Sequence, residues 1–183
     1  IHYAGSSAAY HYLELDCDTI VDDDEMERVL FGTIRTDQSC RTRTRGLIEK
    51  ADNGTLVLRN PENLPESIQQ KICSFMSTGA ISPMGTSEKI PVAAMLICIS
   101  TSEERYLTHL DNFDKEFLAC FETRAHIMQP LRKRKEDIIP LADYYLSQES
   151  DSMFCYALTE DAKAKMLKYN WYANIDELVL TVQ

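Results

Sequence analysis

Apolar and polar residues alternate along the chain in two rhythms, and the change from one to the other divides it. Tyr10 to Asp16 (YHYLELD) alternates apolar or aromatic with polar residues, the period of a strand with one face buried. Asp22, Asp23, Asp24 and Glu25 then open a helix that runs through Phe31, where negative charge suits the helix N-terminus. Thr55 to Leu58 is a second short strand. Leu64, Ile68, Ile72 and Phe75 fall on one helical face after Pro65. Pro91 to Ser100 (PVAAMLICIS) is nearly all apolar, as a central parallel strand buried on both faces requires. Phe113 to Phe121 is helical, and Ile127 is expected in a last short strand. Strand and helix in alternation predict an α/β fold with a parallel sheet between helices. From Glu136 onward only the helical period remains, over Glu136–Gln148, Thr159–Tyr169 and Asn174–Val182, with the polar connection SQESDS at Ser147–Ser152.

Composition narrows the possibilities. The 183 residues carry a formal charge of −10, which disfavours non-specific duplex binding by this stretch as a whole. No apolar run approaches the ~20 residues of a membrane span. A cytoplasmic setting is expected, because the six cysteines (Cys17, Cys40, Cys73, Cys98, Cys120, Cys155) show no metal or disulfide spacing and read as reduced thiols. His2, His11, His109 and His126 have no Cys or carboxylate at ligand spacing, so no metal site is expected. Cys120 and His126 are too far apart in the expected elements to form a nucleophile pair.

The stretch GLIEKADNGTLVLRNPENLPESIQQKICSFM at residues 46–76 resembles the Walker-B region of bacterial enhancer-binding proteins, the AAA+ activators of sigma-54 RNA polymerase. Three more blocks agree in order: LFG at 30–32, PLRKRKEDI at 130–138 and YNWYANIDEL at 169–178. The resemblance implies an AAA+ αβα sandwich over residues 1–135, followed by a small helical lid over 136–183. It places the phosphate-binding loop upstream of Ile1, so the chain is expected to be part of a longer protein. It also implies a homo-oligomer, with RNA polymerase and promoter DNA contacted through the full-length regulator.

Carried over residue by residue, however, the family's hydrolysis set is missing. Its Walker-B carboxylates correspond to Arg59 and Asn60, and its sensor I asparagine to Thr101. Its two subunit-crossing arginines correspond to Asp114 and Cys120, and its sensor II arginine to Asp176. An arginine repels Mg²⁺, and an amide cannot accept a proton from water. Loss of a crossing arginine costs on the order of 10³–10⁵ in phosphoryl-transfer rate. No catalytic residue and no ATP hydrolysis are therefore expected. The loop that touches sigma-54 is replaced too: Thr33 to Arg41 contains neither the glycines nor the Phe-Thr pair of that loop.

Arg35, Arg41, Arg43 and Arg45 stand there instead. Such a cluster could hold phosphates bidentately, in a cyclic dinucleotide, in DNA, or in a partner's acidic patch. A solvated loop kept soluble by Arg-Thr alternation is the plainer alternative. The pattern of losses resembles a degenerate biofilm regulator of the family that responds to cyclic di-GMP and acts without sigma-54. Cyclic di-GMP is thus the candidate ligand. An ExxxR motif used for it elsewhere in the family falls on Tyr144 and Gln148, so that pocket is not reproduced. A protein-interaction module without a small ligand is the other reading. The second basic run, Arg132 to Lys135, is expected to pair with Glu136 and Asp137. Trp171 is expected in the lid core, and Tyr172-Ala173 replaces a Pro-Gly turn.

Overall fold

A computed structural model describes residues 2–4, 9–37, 40–101, 114–122, 124–149 and 156–182. Two compact units divide at Ala125/His126, ten residues before the boundary expected from the sequence. Leu131 explains the shift, because it is fully buried against Ile138, Ala142 and Trp171 of the second unit.

The first unit is built on three parallel strands in the order β1 (Tyr12–Asp16), β4 (Thr55–Arg59), β7 (Met95–Ile99). The same rung number runs straight across, with Asp16 opposite Arg59 and Arg59 opposite Ile99. β4 is the strand flanked on both sides, and four of its five residues are buried. The Pro91–Ser100 run is therefore not one central strand. Only Met95–Ile99 joins the sheet, along the outer side of β4 among the described residues. Ile90–Pro91 (β6) pairs antiparallel with Ala80–Ile81 (β5). Pro91 has no N–H to give a central ladder, which is why the apolar run breaks there.

Helix α1 (Asp23–Phe31) starts where expected. Asp22 Oδ1 accepts from the Glu25 N–H at 2.9 Å, and three acidic residues fill the first turn. Between β4 and β5, α3 (Glu66–Thr78) buries Ile68, Ile72 and Phe75, and Gly79 ends it in the left-handed conformation. α4 (Lys115–Glu122) packs Phe117 into the same core, together with Met26, Leu30, Leu56 and Leu58. Burying a side chain of this kind is worth ~1.5–3 kcal/mol, and this set is what holds sheet and helices together.

The stretch after α1 is not a loop. Gly32–Asp37 (β2) and Cys40–Arg45 (β3) form an antiparallel hairpin, followed by the short α2 (Leu47–Lys50). Gly32, which pairs with Arg45, and Gly46 pack closely at its neck. A Cβ on Gly46 would lie 2.5 Å from the Gly32 nitrogen, and one on Gly32 2.6 Å from the Gly46 nitrogen. Gly32 also has φ +79°, so only glycine fits either place without shifting backbone.

The second unit is helical: α5 (Ile138–Glu149), α6 (Glu160–Lys168) and α7 (Asn174–Val182). Ile127 is not in a strand. It is 71% exposed, in an irregular segment leading to Pro130, whose missing donor disfavours a sheet. Trp171 is 2% exposed, and its Nε1 donates to the Met166 carbonyl at 2.9 Å. It is a core residue, not a stacking platform. Arg134 pairs with Asp137 at 3.0 Å, as the basic run predicts. Of the SQESDS connection, Ser147 to Glu149 continue α5, and the rest lies outside the described residues.

Candidate functional site

β1 and β4 run parallel, so their C-terminal ends deliver their last side chains to one place. The alternation in YLELD turns Leu13 and Leu15 towards the core and leaves Glu14 and Asp16 on the other face. Arg59 ends β4 beside them, and its Nη1 lies 3.0 Å from Glu14 Oε1. Asn60 follows in the left-handed conformation (φ 51°, ψ 52°), which asparagine tolerates better than most residues. Its N–H donates to the Ile99 carbonyl at 2.9 Å, tying the turn to β7. Its side-chain Nδ2 donates to both Asp16 Oδ1 and Asp18 Oδ2, each at 3.0 Å, and Asn63 Nδ2 donates to Asp18 Oδ1.

The result is a clasp in which every cationic or amide donor has an acidic partner. The Asn60 amide holds the Asp16 carboxyl below the usual carboxylate range. The Asp18 N–H and the Arg59 guanidinium act in the same direction, while burial opposes them. Beneath the clasp lie two thiols. Burial, reinforced by the charges of Asp16, Asp18 and Glu62, pushes Cys17 up to about 12. Burial, with Cys17 and Glu62 nearby, does the same to Cys98. Both are inert protonated thiols at neutral pH. Among the described residues, no group of three or more His, Cys, Asp or Glu is arranged to hold a metal ion.

Thr101 stands exposed just past β7, next to Ser100, whose hydroxyl donates to Glu62 at 2.9 Å. Arg59, Asn60 and Thr101 thus follow two neighbouring strand ends. Asp114 lies at the start of α4. Its N–H donates to the buried Gln69 at 2.8 Å, and its carboxylate accepts from the Glu116 N–H. Cys120 sits two turns further on, against Cys73 of α3. Asp176 is exposed in the first turn of α7, in the second unit. There the Tyr172-Ala173 turn is held by Glu177, which accepts from the Ala173 N–H at 3.0 Å and from the Tyr169 hydroxyl at 2.7 Å.

The four hairpin arginines do not form one cluster. Strand pairing places Ile34 opposite Arg43 and Arg35 opposite Thr42. Arg41, Arg43 and Arg45 therefore share the Ile34 face, and Arg35 lies on the other. Arg43 and Arg45 converge on Glu49 Oε1, at 2.6 and 3.1 Å, and Arg41 pairs with Glu88. The sequence reading missed these carboxylates. Glu49 was foreseeable once a hairpin was recognised, because it lies one helical turn beyond Arg45 (i, i+4). Tyr144 and Gln148 are exposed on one face of α5.

Comparison with known proteins matches residues 1–123 to the sigma-54 interaction domain and residues 132–183 to the AAA+ ATPase lid domain. The Psp operon transcriptional activator of Escherichia coli K12 is 26% identical over 187 residues, spanning 100% of this chain and 57% of that protein. The hydrogenase transcriptional regulatory protein HoxA of Cupriavidus necator is 29% identical over 181 residues, spanning 97% of this chain and 37% of that protein. The chain thus spans less than two thirds of the length of these relatives. Among solved structures, NtrX from Brucella abortus in complex with ADP superposes with a TM-score of 0.77 at 22% identity, over 99% of this chain and 40% of that one. That likeness shows the AAA+ α/β fold.

Proposed function

The chain belongs to the sigma-54 interaction domain family, and from that premise we propose that it is the AAA+ domain of a transcription regulator that no longer hydrolyses ATP and serves assembly and sensing instead. One observation carries the reading. At the strand end where the family places its acidic pair, Arg59 and Asn60 are engaged with Glu14, Asp16 and Asp18. A magnesium ion there would meet a guanidinium and would have to displace two amide hydrogen bonds. Thr101, Asp114, Cys120 and Asp176 remove the other family functions. RNA polymerase and promoter DNA are contacted by the whole regulator, as a homo-oligomer, and sigma-54 is not remodelled.

Cyclic di-GMP is the ligand the resemblance suggests. Against a site at the hairpin, Arg41, Arg43 and Arg45 are already paired with carboxylates and Arg35 faces away. That observation favours the second reading, in which this surface meets a protein partner and no small ligand. The deciding experiment uses the full-length regulator, with ATP turnover measured alongside calorimetric titration of cyclic di-GMP and of ATP·Mg²⁺. The expected turnover is indistinguishable from a protein-free blank. Magnesium-dependent hydrolysis would overturn the proposal. Binding of the cyclic dinucleotide alone would support ligand sensing, and silence with both ligands would support the interaction module.

A further inference from the structure

We infer that the cleft between α1, α3 and the segment joining β5 to β6 is a binding site for a small organic carboxylate. It encloses about 340 Å³, at the lower end of the ~300–1,000 Å³ of small-molecule sites, which suits a ligand of modest size. Phe31 at the end of α1, Ile81 of β5 and Pro83 are buried residues that give it an apolar lining. Its charged residues are Glu27, Lys71 and Lys89. Glu27 and Lys71 pair at 2.5 Å and neutralise each other. Lys89 is exposed and has no ion pair among the described residues, so the lining keeps one uncompensated cation in a chain of formal charge −10. Ser74 of α3 and Ser82 line the cleft too, and neither hydroxyl has a partner among the described residues. The other two hydroxyls are engaged: Thr78 donates to the Ser74 carbonyl at 2.7 Å, and Thr86 accepts from the Glu88 N–H at 3.1 Å. One free ammonium, two free hydroxyls and a compact apolar lining match a single carboxylate on an aliphatic or aromatic body. A cationic ligand would meet Lys89 and find Glu27 already paired. A cyclic dinucleotide would bring two phosphates to one spare cation.

The segment that walls the cleft also supports the hairpin. The Met84 N–H donates to the Gly32 carbonyl, and the Ile34 N–H donates to the Met84 carbonyl, each at 2.9 Å. Gly85 follows at φ +84°, where a Cβ would lie 2.6 Å from the Ile34 carbonyl oxygen. Further along, Glu88 pairs with Arg41 of β3. A ligand that binds only the closed wall disfavours its local opening by mass action, and β2 is held by the same hydrogen bonds. Occupancy of the cleft is thereby felt at the hairpin. The inference concerns the first unit alone and stands whether or not ATP is turned over.

The test titrates the full-length protein by calorimetry with sodium benzoate, hexanoate and phenylbutyrate, each beside its neutral amide, and with sulfate as a charge without an apolar body. At least one carboxylate should bind at millimolar concentration, its amide roughly tenfold or more weakly, and sulfate not at all. Lys89→Gln should weaken binding by a similar factor, and Lys89→Arg should restore it. Ser74→Phe, which fills the cleft from an exposed position on α3, should abolish it. Lys115→Gln, on the exposed side of α4 and outside the cleft, should leave it unchanged. Hydrogen exchange should slow several-fold at the Ile34 and Met84 amides when the carboxylate is bound. Silence with all three carboxylates would overturn the inference, as would equal binding of the amides. Binding that survives both Lys89→Gln and Ser74→Phe would place the ligand elsewhere and overturn it too. Unchanged exchange at Ile34 in the bound protein would overturn the link to the hairpin.

Discussion

Replacing Leu178 with alanine tests what holds the second unit together, and that unit carries its own reporter. Leu178 is fully buried in α7, against Leu131, Ile138, Ala142, Met166 and Trp171. Truncating a leucine in such a place removes its transfer free energy and leaves a cavity, costing ~2–5 kcal/mol. A domain of roughly 60 residues is marginal, with about 3–9 kcal/mol in hand at the usual stability per residue. A loss of ~3 kcal/mol is therefore a third or more of the total. With a urea dependence near ~1 kcal/mol per molar for so small a unit, the midpoint should fall by about 3 M. Trp171, the only tryptophan, is 2% exposed and lies in the affected cluster. Its emission reports this unit alone. The assay is urea titration of Leu178→Ala followed by tryptophan emission, with Leu180→Ala as a control on the same helix, since Leu180 is 77% exposed. A midpoint drop under about 0.5 M, or equal drops for the two variants, would refute the packing argument.

Three further outcomes are expected. Asn60→Ala should raise the titration of the Asp16 carboxyl, since the Asn60 amide is the first cause of its depression. A depressed folded pKa stabilises above the ordinary carboxylate range and loses that contribution as pH falls through the folded value, so the variant's loss of stability should be larger at neutral pH than at strongly acid pH, where only the cost of alanine in the left-handed turn remains. Carbon-detected NMR titration of Asp16 checks the shift, and an unmoved curve would sink the explanation. Glu49→Gln should cost ~1 kcal/mol in chemical denaturation, because its side chain is 10% exposed and receives two arginines. Glu88→Gln, whose ion pair is half in water, should stay within ~0.5 kcal/mol. Finally, at pH 8 the native Cys17 and Cys98 should alkylate on the order of 10³-fold more slowly than an ordinary thiol, recovering in denaturant, as pKa values of about 12 require. Peptide-resolved rates of iodoacetamide labelling give the comparison.

The helices were legible because capping and periodicity are local: Asp22 and the acidic turn mark α1, and Leu64 to Phe75 mark α3. β1 and β4 were legible from their patterns, but which strand lies at the centre was not. An apolar run such as PVAAMLICIS reads alike in the middle or at the side of a sheet, and only the missing N–H of Pro91 hinted at its division. The resemblance identified Arg59 and Asn60, while their partners Glu14 and Asp16 of β1 and Asp18 of the turn after it lie over forty residues earlier, beyond any local signal. The arginines show the opposite error. Four like charges in eleven residues suggested a cluster, yet a strand period of two puts Arg35 on the far side. The hairpin was hidden because its alternation is of arginine and threonine, with Ile34 its sole strongly apolar contributor.

The two closely packed glycines at the hairpin neck decide where this hairpin takes its register from. Gly32 pairs with Arg45, Gly46 follows one residue on with its Cα close to the Gly32 nitrogen, and the Ile34 and Met84 backbones tie the strand next to them. Pairing is therefore dictated from the base upward, and the far end inherits it. The register that sets Arg43 and Arg45 on Glu49 is thus fixed near the neck. A single methyl at either neck glycine would disturb every rung above it.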